Sequence, residues 1–111
     1  HAAVAQRPGA RHSILLGAPG HAIEASLSAT EHRAVLGDVP LSPAALETRA
    51  LGYALSHDEV ITGLTSVAVP LRMPAEPPAA LSVVCIGVPD DLAGLARTMR
   101  EAATRIEYVS N

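Results

Sequence analysis

The sequence predicts an α+β domain, an antiparallel sheet with helices packed on it. Three short runs, 53–58, 64–72 and 79–87, are apolar, alternating or β-branched, and the connections between them are too short for a parallel crossover. Two helix signatures stand at 28–37 and 42–52, each with a capping residue in front and a glycine behind. Residues 90–109 then set apolar side chains at helical spacing, a helix able to cover one face of the sheet.

Taken in order, "HSILLGAP" (12–19) reads as a short strand ending in a Gly–Pro turn, and "GHAIEASLS" (20–28) as a short helix of good formers. Ser28 and Glu31 match a capping box for the next helix, which Gly37 stops. Ser42 as N-cap, Pro43 at the first helical position and Gly52 behind repeat that logic. "YALSHD", "LTSVAVPLR" and "AALSVVCIG" are the strands, and Pro70 marks an edge position or the end of pairing. In the last helix Asp90 is the predicted cap, and Leu92, Leu95, Ala96, Met99, Ala102, Ala103 and Ile106 share one face.

Composition narrows the function. The 111 residues suffice for one domain, with 49% hydrophobic content but only Tyr53 and Tyr108 as aromatics, so the core is aliphatic and base stacking is disfavoured. Net charge is −3, and the eight basic residues, all Arg, are scattered among acids, which argues against direct binding to DNA. A single Cys excludes an internal disulfide framework and fits a reducing compartment. No apolar run approaches the roughly 20 residues that span a bilayer, and the first residues lack the apolar stretch of a signal peptide. A cytoplasmic domain without membrane contact is therefore expected. His1 is no initiator, so a fragment of a longer or processed chain is expected.

No enzyme chemistry stands out. Cys85 shares a strand face with Leu81 and Val83, as a small hydrophobe beneath the last helix would. The five histidines show no metal-ligand spacing, and no metal or cofactor is expected. His57–Asp58–Glu59 could act as acid, base or ligand but reads better as a solvated turn. "GAPG" (17–20) before a helix could cradle an anion on free N–H groups, although no Walker or dinucleotide pattern is present. More informative are three strand hydroxyls. The two-residue period puts Ser82 with Val84 and Ile86, Ser66 with Leu64, Ala68 and Pro70, and Ser56 with Ala54. They converge on one half-apolar surface, where each needs backbone, water or a ligand as partner.

The order of "PGHA", "LSATE", "GYALSHDE", "SVAVPL" and "AALSV" before a closing amphipathic helix resembles the effector-binding domain of IclR-type transcriptional regulators over roughly residues 9–109. The resemblance implies a GAF-like antiparallel sheet with helices on one face and a small-molecule pocket on the other. It implies a non-enzymatic sensor of small effectors, often carboxylates, in a homodimer or homotetramer. DNA would be bound only through a winged helix-turn-helix absent from this chain. Carried over by position, the pocket is lined by Gly17, Ala18, Gly20, Ser56, Ser66, Ser82 and Val84, with the helix start receiving an effector carboxylate.

Departures from that pattern include missing first strands and a short 27–52 stretch. Ser56 and Ser66 stand where a keto-acid-binding member has Asp and Cys, and Val84 where it has Ser. A less acidic, more apolar pocket is implied. One effector-sensing domain over 1–111 is the leading reading, and an oligomerisation module with a vestigial pocket is the alternative.

Overall fold

The computed structural model describes residues 16–59 and 61–109. The first helix, α1, spans Gly17–Ser26, so it begins at Gly17 rather than Gly20 and the predicted "GAPG" turn is its first turn. Gly17, with φ 81°, makes the bend that opens it. Pro19 then falls in the first turn, where a helix has no use for its missing N–H. Residues 12–15 of the predicted strand lie outside the described residues.

The next two helices form where their caps predict. In α2, Ala29–Leu36, Glu31 N–H donates to Ser28 Oγ (3.1 Å) while Glu31 Oε1 accepts from Ser28 N–H (2.9 Å), the reciprocal capping box. In α3, Pro43–Leu51, Ser42 Oγ accepts from Ala45 N–H at 3.1 Å, and Gly52 closes the helix in the left-handed conformation. The last helix, α4 (Leu92–Val109), is capped one residue later than predicted: Asp91, not Asp90, accepts from Gly94 N–H at 2.9 Å. A Cβ on residue 94 would crowd the Asp91 carboxylate, which would have to move to make room.

Strands β1 (Ala54–His57), β2 (Leu64–Leu71) and β3 (Ala79–Ile86) form a three-stranded antiparallel sheet in the order β1-β2-β3. Pro70 sits in the central strand, but beyond Ala68, where β1 pairing ends, so its missing N–H breaks no ladder to β1. Register places Ser56 opposite Ser66 and Ser66 opposite Val84, with Ala54, Ala68 and Ser82 in the neighbouring row.

Each face of the sheet is covered differently. On one, Val67, Val69 and Leu71 pack with Ala96, Met99 and Ala103 of α4, as the apolar stripe predicts; Leu81 and Val83 join from the edge. Burying Val67, Val69 or Met99 contributes about 1.5–3 kcal/mol each. Ile106, assigned to this stripe from its spacing, is 36% exposed near the helix end. On the other face, which the resemblance leaves to a pocket, α1 lies along the alanine row: Ala18 and Ala22 meet Ala54 and Ala68. Small residues on both partners let helix and sheet approach closely. α3 packs against α1 and also touches β1, so α4 covers one face of the sheet and α1 with α3 stands on the other.

Arg72, directly after β2, ties three helices together. Its backbone N–H donates to Glu107 of α4 (2.8 Å), and its guanidinium donates to the Ser26 carbonyl (2.8 Å) and to both Glu31 oxygens (2.7 and 3.1 Å).

Candidate functional site

Alternation along the strands puts Ser56, Ser66, Ser82 and Val84 on the α1 side of the sheet, as the two-residue period predicts. They are not equivalent. Ser56 is buried, and Ser66 is half-buried with its hydroxyl oxygen out of reach of solvent and without a hydrogen-bond partner among the described residues. Ser82 and Val84 lie on the edge strand and are exposed, Val84 by 51%. Gly17, Ala18 and Gly20 are buried on α1. The convergent part of the predicted set is therefore Ser56 and Ser66 with the α1 start, and Ser82 and Val84 form its open side.

The α1 start is not free. Glu59, two residues beyond β1, accepts from Gly17 N–H at 2.8 Å. His21, one turn into α1 and 5% exposed, presents Nε2 at 2.9 and 3.1 Å from the two Glu59 oxygens. A carboxylate on Nε2 selects the tautomer protonated there, and Nδ1 is then a buried atom with no partner among the described residues. Burial alone would raise the Glu59 pKa, but the Gly17 and His21 hydrogen bonds outweigh it and hold the carboxyl below its ordinary value. The anion expected at this helix start is thus supplied by the chain itself.

The "HDE" triplet is split by the fold. His57 Nδ1 meets Thr65 Oγ1 at 2.7 Å on the α4 side, and Asp58, with φ 61°, accepts from Gly63 N–H at 2.5 Å to pin the β1–β2 turn. His57 Nε2 and Asp58 Oδ2 stay together at 3.4 Å, and only Glu59 reaches the α1 side. Sequence reasoning missed Glu59 and His21 as partners of this site; the only local signal was a histidine one turn after a Gly-rich helix entry. Cys85 is a half-buried free thiol in register with Thr65. Among the described residues no group of three His, Cys, Asp or Glu side chains could hold a metal ion, and no helix is long and apolar enough to cross a membrane.

A concavity of about 460 Å³ opens between α2 and α3, lined in part by His32, Arg33, Asp38, Val39 and Arg49. None of the predicted site residues borders it. Beneath it lies Glu24, 1% exposed, which accepts from Ser42 N–H (2.9 Å) and Ser42 Oγ–H (2.6 Å), with His32 Nε2 at 3.6 Å. Burial pushes the Glu24 pKa up, and the two Ser42 hydrogen bonds with His32 more than reverse it.

No family model matches the chain, and a sequence comparison with curated proteins also returns no match. Solved structures do. The repressor BlcR of Agrobacterium tumefaciens superposes with a TM-score of 0.78 at 20% identity, over 96% of this chain and 51% of that one. An IclR transcriptional regulator from Alicyclobacillus acidocaldarius gives 0.76 at 22%, over 97% and 50%. The C-terminal domain of a candidate transcriptional regulator from Vibrio cholerae, solved alone, gives 0.61 at 21%, over 84% and 63%. The chain spans about half the length of the first two. Its α+β architecture is the fold of the C-terminal domain of IclR-type transcriptional regulators.

Proposed function

We propose that residues 1–111 form the ligand-sensing domain of an IclR-type transcriptional regulator. It binds a small organic acid on the α1 side of the sheet and catalyses no reaction. The signal passes by rearrangement of a homo-oligomer to a DNA-binding module carried elsewhere, and such a regulator would work in the cytoplasm. A ligand does this only if it prefers one assembly state over another, by its difference in affinity for the two.

The single observation that carries the reading is the Ser66 hydroxyl. Leaving it buried and unpaired costs about 1–3 kcal/mol, a cost a bound hydrogen-bonding ligand removes. It stands opposite Ser56, on the face to which α1 brings its start. Titration calorimetry over a panel of small carboxylic acids tests this with wild type, Ser66→Val and Ser82→Val. One hydrogen bond to a charged ligand is worth about 1.5–3 kcal/mol, so at least a tenfold loss is expected for Ser66→Val. Unchanged affinity for every acid in both variants would remove the ligand from this face.

A second reading, an assembly module with a vestigial pocket, is favoured by the outer edge of β3. Val84 and Ile86 on β3 and Val88 just beyond it are 51%, 84% and 57% exposed, apolar side chains beside an edge that pairs with no further described strand. Native mass spectrometry separates the two: a stable oligomer to which no acid binds supports assembly alone.

A further inference from the structure

Two donors at the start of α1 are arranged for a carboxylate: Gly17 N–H and His21 Nε2. Glu59 occupies both. Its side chain is nonetheless 30% exposed, so water reaches the group whose place a ligand acid would take. Among the described residues no arginine stands ready to hold a second anion beside it. Among the described arginines, Arg72 is engaged with Glu31 and Ser26, Arg49 with the carbonyls of Ala25 and Leu27, Arg33 with Asp38, and Arg100 with the Gly52 carbonyl; Arg97 and Arg105 lie on α4 across the sheet. Two carboxylates in contact in a partly buried site repel strongly, so simultaneous occupancy is disfavoured. Replacement is not: an incoming carboxylate meets the same two donors that Glu59 gives up.

We infer that Glu59 is a specificity-determining residue, an internal carboxylate that a ligand acid must displace from Gly17 and His21 in order to bind. This rests on the acid-sensing reading above and adds to it a built-in competitor. Two buried polar atoms support it independently of the helix start. His21 Nδ1 and Ser66 Oγ are buried with no hydrogen-bond partner among the described residues, and the Ser66 hydroxyl is the one left for a further polar group of a ligand. The ligand class that fits is a small acid with a further polar group, its carboxylate on Gly17 and His21 and its other end toward Ser66. A simple monocarboxylate would bind wild type weakly, because it exchanges one carboxylate for another and gains little else.

The test uses acetate, which matches the fragment that Glu59→Ala removes, titrated at constant ionic strength against wild type, Glu59→Ala and Glu59→Gln. The Gly17 amide resonance reports the site and calorimetry reports affinity. Glu59→Ala is expected to bind acetate at least tenfold more tightly than wild type, with the Gly17 amide moving toward its wild-type position as acetate fills the gap. Glu59→Gln keeps the shape without the charge and guards against misfolding of the alanine variant; it is expected to bind acetate at least threefold more tightly than wild type. Acetamide should reproduce neither effect. Equal affinity in wild type and both variants with an unmoved Gly17 amide overturns the inference, whether or not acetate binds elsewhere. The acid-sensing reading then survives if any acid binds wild type with Ser66-dependent affinity. Conversely, acetate rescue without any acid binding wild type would reveal an anion position that no ligand acid takes from Glu59, and would end both the inference and the sensing reading.

Discussion

Glu24 and Glu59 each set a carboxylate on a backbone N–H at or beside a helix start, and each faces a histidine. Their surroundings differ. Glu24 is 1% exposed and takes both the N–H and the hydroxyl of Ser42, whose oxygen also caps α3; it fastens α1 to α3 from within. Glu59 takes one N–H and one imidazole, lies at the open end of the sheet, and keeps a side chain 30% exposed. The same local chemistry stands where water is excluded at Glu24 and where water enters at Glu59, and the displacement proposed above needs the second setting.

The comparison can be broken most forcefully at Glu24. Glu24→Ala leaves the Ser42 donors and His32 facing a hole, and the expected loss is about 3 kcal/mol, read from chemical denaturation. Ser42→Ala removes both a cap and the Glu24 partner, and about 2 kcal/mol is expected by the same measurement. Glu59→Ala should cost less, about 1 kcal/mol, because water can reach the two donors it abandons. A loss at Glu59 as large as that at Glu24 would make both architectural and erase the contrast.

Acid sharpens the contrast from another side. Glu24, Glu59 and Glu31 all have folded pKa values below the ordinary 4.5, Glu31 at about 2 through its Arg72 and Ser28 hydrogen bonds. A group depressed on folding gives its full stabilisation above the unfolded pKa and loses it as pH falls through the folded one. Stability should thus decline from about pH 4.5 downward, and Glu31→Gln should flatten the part of that decline reaching to about pH 2, seen as Tm against pH. The smallest expected effect is at Ser66. Removing a hydroxyl that has no partner should leave ligand-free stability within about 1 kcal/mol of wild type, or raise it, while acid affinity falls. A clear destabilisation by Ser66→Ala would mean that the hydroxyl already has a structural task.

What was legible in the sequence follows the range of the forces involved. The boundaries of α2 and α3 are set within four residues by Ser28, Glu31, Ser42, Pro43 and the two closing glycines, and they form where read. The shared face of Ser56, Ser66 and Ser82 needs only alternation and antiparallel neighbours. The α1 start was not legible, because a Gly–Pro pair opens helices and turns alike until tertiary contacts decide. Asp90 and Asp91 were indistinguishable as caps, since the choice turns on which carboxylate meets the Gly94 N–H. Least legible of all was Glu59. Its partner is 42 residues away, and nothing in "SHDE" separates a carboxylate facing water from one folded inward.

Arg72 gives the arrangement a mechanical side. The far end of α1 hangs from its guanidinium through the Ser26 carbonyl, and the far end of α4 hangs from its backbone N–H through Glu107. These two helices lie on opposite sides of the sheet, yet they share a single anchor. An axial slip of α1 that starts at Gly17 must either be absorbed within its ten residues or pull on that anchor. The outer surface of α4, remote from the serine face, is in this way only one residue removed from a push at the other end of α1.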